Sequence, residues 1–205
     1  MSGAERLIIH VRNTRGYKPA DAQHIREYIK REAPNTIGVN VRVSTKRIEV
    51  DATTPNPREL IEALRKLGAI IDRGPKNLLE LLGEERYWEA HELLEEEWRN
   101  AEPPARDRIK ALIKTVAAMA KLQEGWPDKA RRILSTIKAN GIDIECVEGE
   151  LEKAWQGVRS DIIPCIDIGY ILGVEGGQEA THAPRHKGPG GSGGDRGWKD
   201  NSEED

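Results

Sequence analysis

At 205 residues the chain has room for one medium domain or two small ones, and its 37% hydrophobic content lies above the disordered regime. A third of the residues are charged and none is Phe, a composition that suits ion-pair networks and therefore a thermophilic source. Cys146 and Cys165 stand without a CxxC pair or a His at zinc spacing, which excludes a disulfide framework and a zinc finger but leaves room for one disulfide.

The first elements alternate. Leu7, Ile9 and Val11 are apolar with Ile8, His10 and Arg12 between them; Ile37–Val43 and Ile48–Ala52 repeat the pattern. Period two over three runs predicts half-buried strands of one sheet, the second and third joined as a hairpin through Ser44-Thr45-Lys46. Ala22, Ile25, Tyr28 and Ile29 share one face of a helix over 20–33. Asn56, Pro57 and Glu59 form a strong helix start, and Leu60, Ile61, Leu64 and Leu67 supply the apolar stripe up to Gly68. Residues 69–72 read as a last strand. The order strand, helix, strand, strand, helix, strand is the split βαβ, ferredoxin-like arrangement over 1–74.

At Gly74-Pro75 the period changes to helical, over 76–82, 85–99, 106–124, 127–139 and 147–159. The expected fold class is therefore α+β, a ferredoxin-like domain (1–74) followed by a helical bundle (76–174). Residues 162–172 are β-rich but broken by Pro164, which fits either an edge strand or an extended segment packed on the bundle. From 175 to 205 the chain is Gly-rich, acidic and aperiodic, the composition of a disordered tail.

Charge divides along the same lines. Residues 1–75 carry 14 Lys/Arg against 9 Asp/Glu, and residues 76–174 carry 14 against 19. A basic front of this size is modest for a dedicated nucleic-acid binder. On the sheet face that would stack bases, the pattern places His10, Arg12, Asn40, Arg42 and Arg47, with Ile8, Glu49 and Asp51 and no aromatic side chain. That face fits docking to a protein or to another domain better than nucleic acid, whose contacts there would be weak and mostly to phosphate.

The densest constellation is Tyr87-Trp88-Glu89-Ala90-His91-Glu92-Leu93-Leu94-Glu95-Glu96-Glu97-Trp98-Arg99. At helical spacing Tyr87, Ala90, His91, Leu94 and Trp98 share a face, Glu95 lies one turn from His91, Trp88 and Glu92 border them, and Arg99 extends the ladder. Glu89, Glu96 and Glu97 are expected to point away. His91 and Glu95 are read as a hydrogen-bonded i,i+4 pair. As metal ligands they lack the second His of a zincin helix and a third donor, since His10 and His24 belong to the front domain and His182 and His186 to the tail.

This helix resembles the signature helix of domain-of-unknown-function family 309. The likeness continues through Arg108–Lys114, Glu124–Leu134 and Gly141–Asp143, and covers about residues 78–160. It implies a compact multihelical bundle and no established activity. Glu85 and Ala111 stand where the family prefers Gly, and Lys114 where it prefers Gln.

No phosphate-binding loop, dinucleotide fingerprint or nucleophile elbow is present. The expected function is that of a non-enzymatic cytoplasmic interaction or adaptor protein with an unidentified protein partner, no cofactor and no membrane span. The alternatives are a metal-assisted hydrolase using the His/Glu cluster of helix 85–99, and a weak phosphate-backbone binder of nucleic acid.

Overall fold

In the computed structural model, residues 4–71, 74 and 76–173 are described. Strands β1 (Glu5–Arg12), β2 (Gly38–Val43), β3 (Arg47–Thr54) and β4 (Ile70–Ile71) alternate with α1 (Ala22–Glu32), preceded by a 3-10 turn (Pro19–Asp21), and α2 (Pro57–Arg65). The sheet order is β2-β3-β1-β4 and every pairing is antiparallel. This is the ferredoxin-like arrangement anticipated from the pattern. Asn56 caps α2 by accepting from the Glu59 amide, and Pro57 occupies the first turn, where no donor is needed. Gly68 is required for β4 to reach β1: an added Cβ would lie 2.5 Å from the Arg12 carbonyl oxygen.

One face of the sheet is apolar. Val11, Val41, Val43, Ile48 and Val50 pack under Ile25 and Ile29 of α1 and Leu60 and Leu64 of α2, forming one apolar cluster. A second cluster belongs to the helices α3 (Leu78–Gly83), α4 (Tyr87–Asn100), α5 (Ala105–Gln123), α6 (Pro127–Leu134) and α7 (Ile144–Trp155), closed by a 3-10 turn (Ile163–Cys165) and α8 (Ile168–Leu172). Its axis is α5, whose Leu112, Val116, Met119 and Leu122 are fully buried. Residues up to Glu175 form one compact unit. No helix among the described residues is long and apolar enough to cross a membrane.

Expectations for three segments shift. α6 stops at Leu134, where the Ser135 and Thr136 hydroxyls donate back to the carbonyls of Arg132 and Ile133. α7 starts earlier, at Ile144, because Asp143 caps it through the Cys146 amide, and it ends before Gly157, which has φ +78°. Residues 162–172 are mostly not a strand. Pro164 sits in the 3-10 turn, Asp167 caps α8 through the Tyr170 amide, and Gly173 ends α8 in the left-handed region. Only Ile166 keeps a strand-like bridge, to Ile142. Cys146 and Cys165 form a disulfide with their Cα atoms 5.4 Å apart, tying α7 to that turn. The stretch read as a disordered tail lies outside the described residues.

Candidate functional site

Because successive strand residues alternate faces, the side of the sheet opposite α1 and α2 carries the polar set. The register places His10 and Arg42 on either side of Glu49, and Ile8 and Asn40 on either side of Asp51. Most of this polar face is covered by the helical part of the chain. Arg42, Arg47, Glu49 and His10 are buried, as are Arg86, Glu89, Gln123 and Glu124 on the other side of the junction.

The charges are paired. Arg42 bonds Glu49 beside it on the sheet and Glu124 at the end of α5, at 3.1 Å, with its guanidinium 4.3 Å from the centre of the Trp88 ring. Glu124 also receives Lys121 at 2.7 Å. Arg47 reaches Glu84 at 2.7 Å and the His10 Nδ1 at 3.4 Å. Since a guanidinium only donates, Nδ1 accepts and the His10 proton sits on Nε2, which lies 3.3 Å from Glu89. Arg86 grips Glu89 with two bonds of 2.6 Å, the bidentate geometry that makes Arg–carboxylate pairs strong. At the rim, Arg6 holds Asp51 in the same way at 2.9 and 2.7 Å.

These environments move the titrations in opposite directions. Burial pushes the Glu49 carboxyl above its usual range, with Arg42 opposing. The hydrogen bond from Arg6 pulls Asp51 below its own. Burial would raise Glu84, but Arg47 and Lys76 outweigh it and leave the carboxyl lowered.

Glu85 joins the two halves directly. It has φ +58°, in the left-handed region that favours glycine, and its side chain is buried. One carboxylate oxygen accepts from the Thr45 amide and hydroxyl at 3.0 and 2.6 Å. The other accepts from the Ser160 amide and hydroxyl at 3.0 and 3.2 Å. Its carbonyl takes the Gln123 amide at 2.9 Å. The β2–β3 turn, the start of α4 and the segment after α7 are therefore fastened at one residue. The Tyr87 hydroxyl lies 3.0 Å from the same Ser160 hydroxyl, and burial raises its titration.

The α4 cluster does not come together as expected. Tyr87, Ala90 and Leu94 face the helical core, while His91 and Trp98 are half-buried. His91 Nε2 and Glu95 are 3.9 Å apart, as are His91 Nδ1 and the exposed Glu92, too far for hydrogen bonds. His91 is instead stacked flat on Trp88, with ring centres 5.2 Å apart. Trp98 is covered by Arg106 at 4.5 Å, and Arg99 is exposed. Glu89, expected to point away, is buried against the sheet, because α4 packs on two partners and so has two buried faces. The sheet face differs as well: His10, Arg42 and Arg47 are closed in, and only Arg12 and Asn40 of that set remain exposed.

For a metal, His91 and Glu95 offer two donors. The group of three or more metal-type donors among the described residues is His10, Glu49 and Glu89, whose ligand atoms lie within 4.8 Å of one another. Sequence reasoning missed it as a group. The register alone brings His10 beside Glu49, but nothing in the strand pattern points to Glu89. The donor set fits a cation poorly. Arg86 holds both oxygens of Glu89, Arg42 holds Glu49, and Arg47 faces the imidazole, so an incoming cation would meet three guanidiniums.

Beside this cluster a groove of about 710 Å³ runs along α4, lined by Lys76, Leu81, Arg86, Glu92, Leu93 and Arg99 among others. All of these groove residues and the whole of α4 lie in one recognisable segment. Residues 76–133 match the family described as Domain of unknown function (DUF309). The DUF309 match spans α3, α4, α5 and all but the last residue of α6, and ends short of the longer resemblance read from the sequence. It includes Glu85, Arg86, Glu89 and Glu124, so the helical side of the junction is DUF309 sequence and the sheet side is not. Comparison with curated proteins and with solved structures finds no match.

Proposed function

We propose that this chain is a non-enzymatic interaction protein whose DUF309 segment docks an amphipathic helix of another protein in the groove along α4. The observation that carries the reading is the lining of that groove. Leu81 and Leu93 provide an apolar floor, with Lys76 and Arg99 of one sign and Glu92 and Glu96 of the other at its open edges. Mixed charge around a short apolar strip suits a helix with apolar residues three or four apart and charges on both flanks.

The ionisable groups nearest the groove favour this over catalysis. Arg86, Glu89, Arg42 and Glu49 are each committed to a charged neighbour, and a general acid or base needs a proton it can release to a substrate. The metal-assisted hydrolase using the His/Glu cluster of α4 has less support, because His91 and Glu95 supply two donors, and the carboxylates of the His10, Glu49 and Glu89 group already hold guanidiniums. Nucleic-acid binding through the sheet face has less still, with Arg42 and Arg47 turned inward.

The test places a photo-crosslinking amino acid at Glu96, an exposed residue of the groove, in the full chain in its native host and identifies what is captured. A single protein species should be enriched, its crosslinked peptide should be an amphipathic helix, and capture should disappear in a Glu92→Lys/Arg99→Glu variant, which reverses two exposed groove charges and leaves the melting temperature unchanged. Turnover of ester, phosphate or peptide substrates that is lost in a Glu89→Gln variant would replace this reading with an enzymatic one.

A further inference from the structure

The helical part of the chain is acidic, with 14 Lys/Arg against 19 Asp/Glu over 76–174. One pocket there has the opposite character. A cavity of about 220 Å³ between α5 and the segment after α6 is lined by Lys110, Lys114 and Lys138, with Asp107 as the one carboxylate. Lys110 and Lys114 are one turn apart on α5, a like-charge spacing that works against a helix. Lys114 donates to the Thr136 carbonyl and hydroxyl, both at 3.0 Å. Those acceptors are neutral, so they fix the ammonium without cancelling its charge. An ammonium has three donors, which leaves one for a ligand. Neither Lys110 nor Lys138 has an ion-pair partner among the described residues. The arginines of the sheet junction, by contrast, are each matched to a carboxylate.

We infer that this pocket binds the phosphate group of a small organic phosphate monoester. Three lysines against one aspartate leave two positive charges in excess, and a phosphate monoester carries about −1.5 to −2 at neutral pH. Lysine recognises phosphate as a point charge and needs no forked geometry. Asn140 adds an amide donor, Asp107 offers an acceptor for a hydroxyl of the organic part, and Ala111 and Ile137 supply an apolar wall.

The experiment titrates the full chain with glycerol 3-phosphate, followed by calorimetry and by backbone amide shifts. Parallel titrations use inorganic phosphate and phosphatidic-acid vesicles. Saturable one-to-one binding is expected, with shifts confined to α5 and residues 136–140, and tighter for the ester than for inorganic phosphate. Affinity should fall at least about tenfold in a Lys110→Gln/Lys138→Gln variant, as charge-assisted contacts are removed. Both lysines are exposed, so that variant should keep the parent melting temperature. Unchanged affinity in the variant, or shifts elsewhere on the chain, would overturn the assignment. Equal affinity for inorganic phosphate would remove the organic part of it. Binding to the vesicles alone would replace the small ester with a lipid headgroup.

Discussion

The guanidinium of Arg42, on the sheet, lies 4.3 Å from the ring centre of Trp88, on α4, while its edges hold Glu49 and Glu124. One side chain therefore satisfies two buried carboxylates and covers an aromatic ring. Removing it leaves Glu49 uncompensated and Glu124 with Lys121 alone. Arg42→Met should cost about 3–5 kcal/mol of unfolding free energy in denaturant titrations, the usual penalty for breaking a buried pair. Arg42→Met with Glu49→Leu should recover most of that loss, because Lys121 still holds Glu124. A single-variant cost below about 1 kcal/mol would mean that water reaches the junction.

Glu85 sets a backbone preference against four side-chain bonds. Glu85→Gly would relieve a left-handed conformation worth about 1–2 kcal/mol. It would also abandon the bonds to Thr45 and Ser160, and hydrogen bonds to a charged group contribute about 1.5–3 kcal/mol each. The balance is a net loss of at least about 2 kcal/mol, read from the denaturation midpoint. Equal or greater stability of the glycine variant would show that the bonds contribute little.

The opposed titrations of Glu49 and Asp51 predict opposed pH dependences. Asp51 is lowered, so its bond to Arg6 stabilises the fold above the ordinary Asp value of 3.8 and is lost as pH falls through the depressed one. Glu49 is raised, so the native state holds its proton more tightly than the unfolded chain does. Its contribution declines as pH rises from the ordinary value of 4.5 through the raised one. In melting scans from about pH 3 to 7, Asp51→Asn should lose stability relative to the parent as pH rises. Glu49→Gln should gain relative to the parent over the upper part of the same range. Parallel curves for all three proteins would contradict both assignments.

Each half has its own apolar cluster, and the surface between them is dominated by ion pairs. Residues 1–75 and 76–175 expressed separately should therefore each melt cooperatively. When mixed they should associate, and more weakly as salt is raised, since exposed charged faces are screened in the free halves. Circular dichroism and calorimetry measure both. An unfolded half, or association indifferent to salt, would show that the halves are a single cooperative unit.

Much of this architecture could be read from local pattern. Leu7, Ile9 and Val11 recur at every second position because one sheet face is apolar, and Asn56-Pro57 marks a helix start by backbone chemistry alone. The polar set His10, Arg42 and Arg47 was also legible as one face. Its closure was not, because the partner charges Glu84, Glu89 and Glu124 lie more than thirty residues away, in segments whose own periodicity points elsewhere. Glu89 shows why: a helical wheel with one apolar arc treats every carboxylate outside it as solvated, and a second, polar contact face leaves no apolar trace. Residues 162–172 misled through composition. Their isoleucines favour a strand, yet Asp167 and Gly173 are start and stop signals for a short helix, and capping prevailed over β propensity.

The turn at residue 85 is a matter of backbone, and glycine would sustain it with less strain than glutamate does. Helices α3 to α5 can thus be built whether or not any carboxylate is present there. What the glutamate adds is an address: its two oxygens receive the β2–β3 turn on one side and Ser160 on the other. The β2–β3 turn and the segment after α7 thus share one carboxylate, and a substitution that removes it loosens both contacts at once.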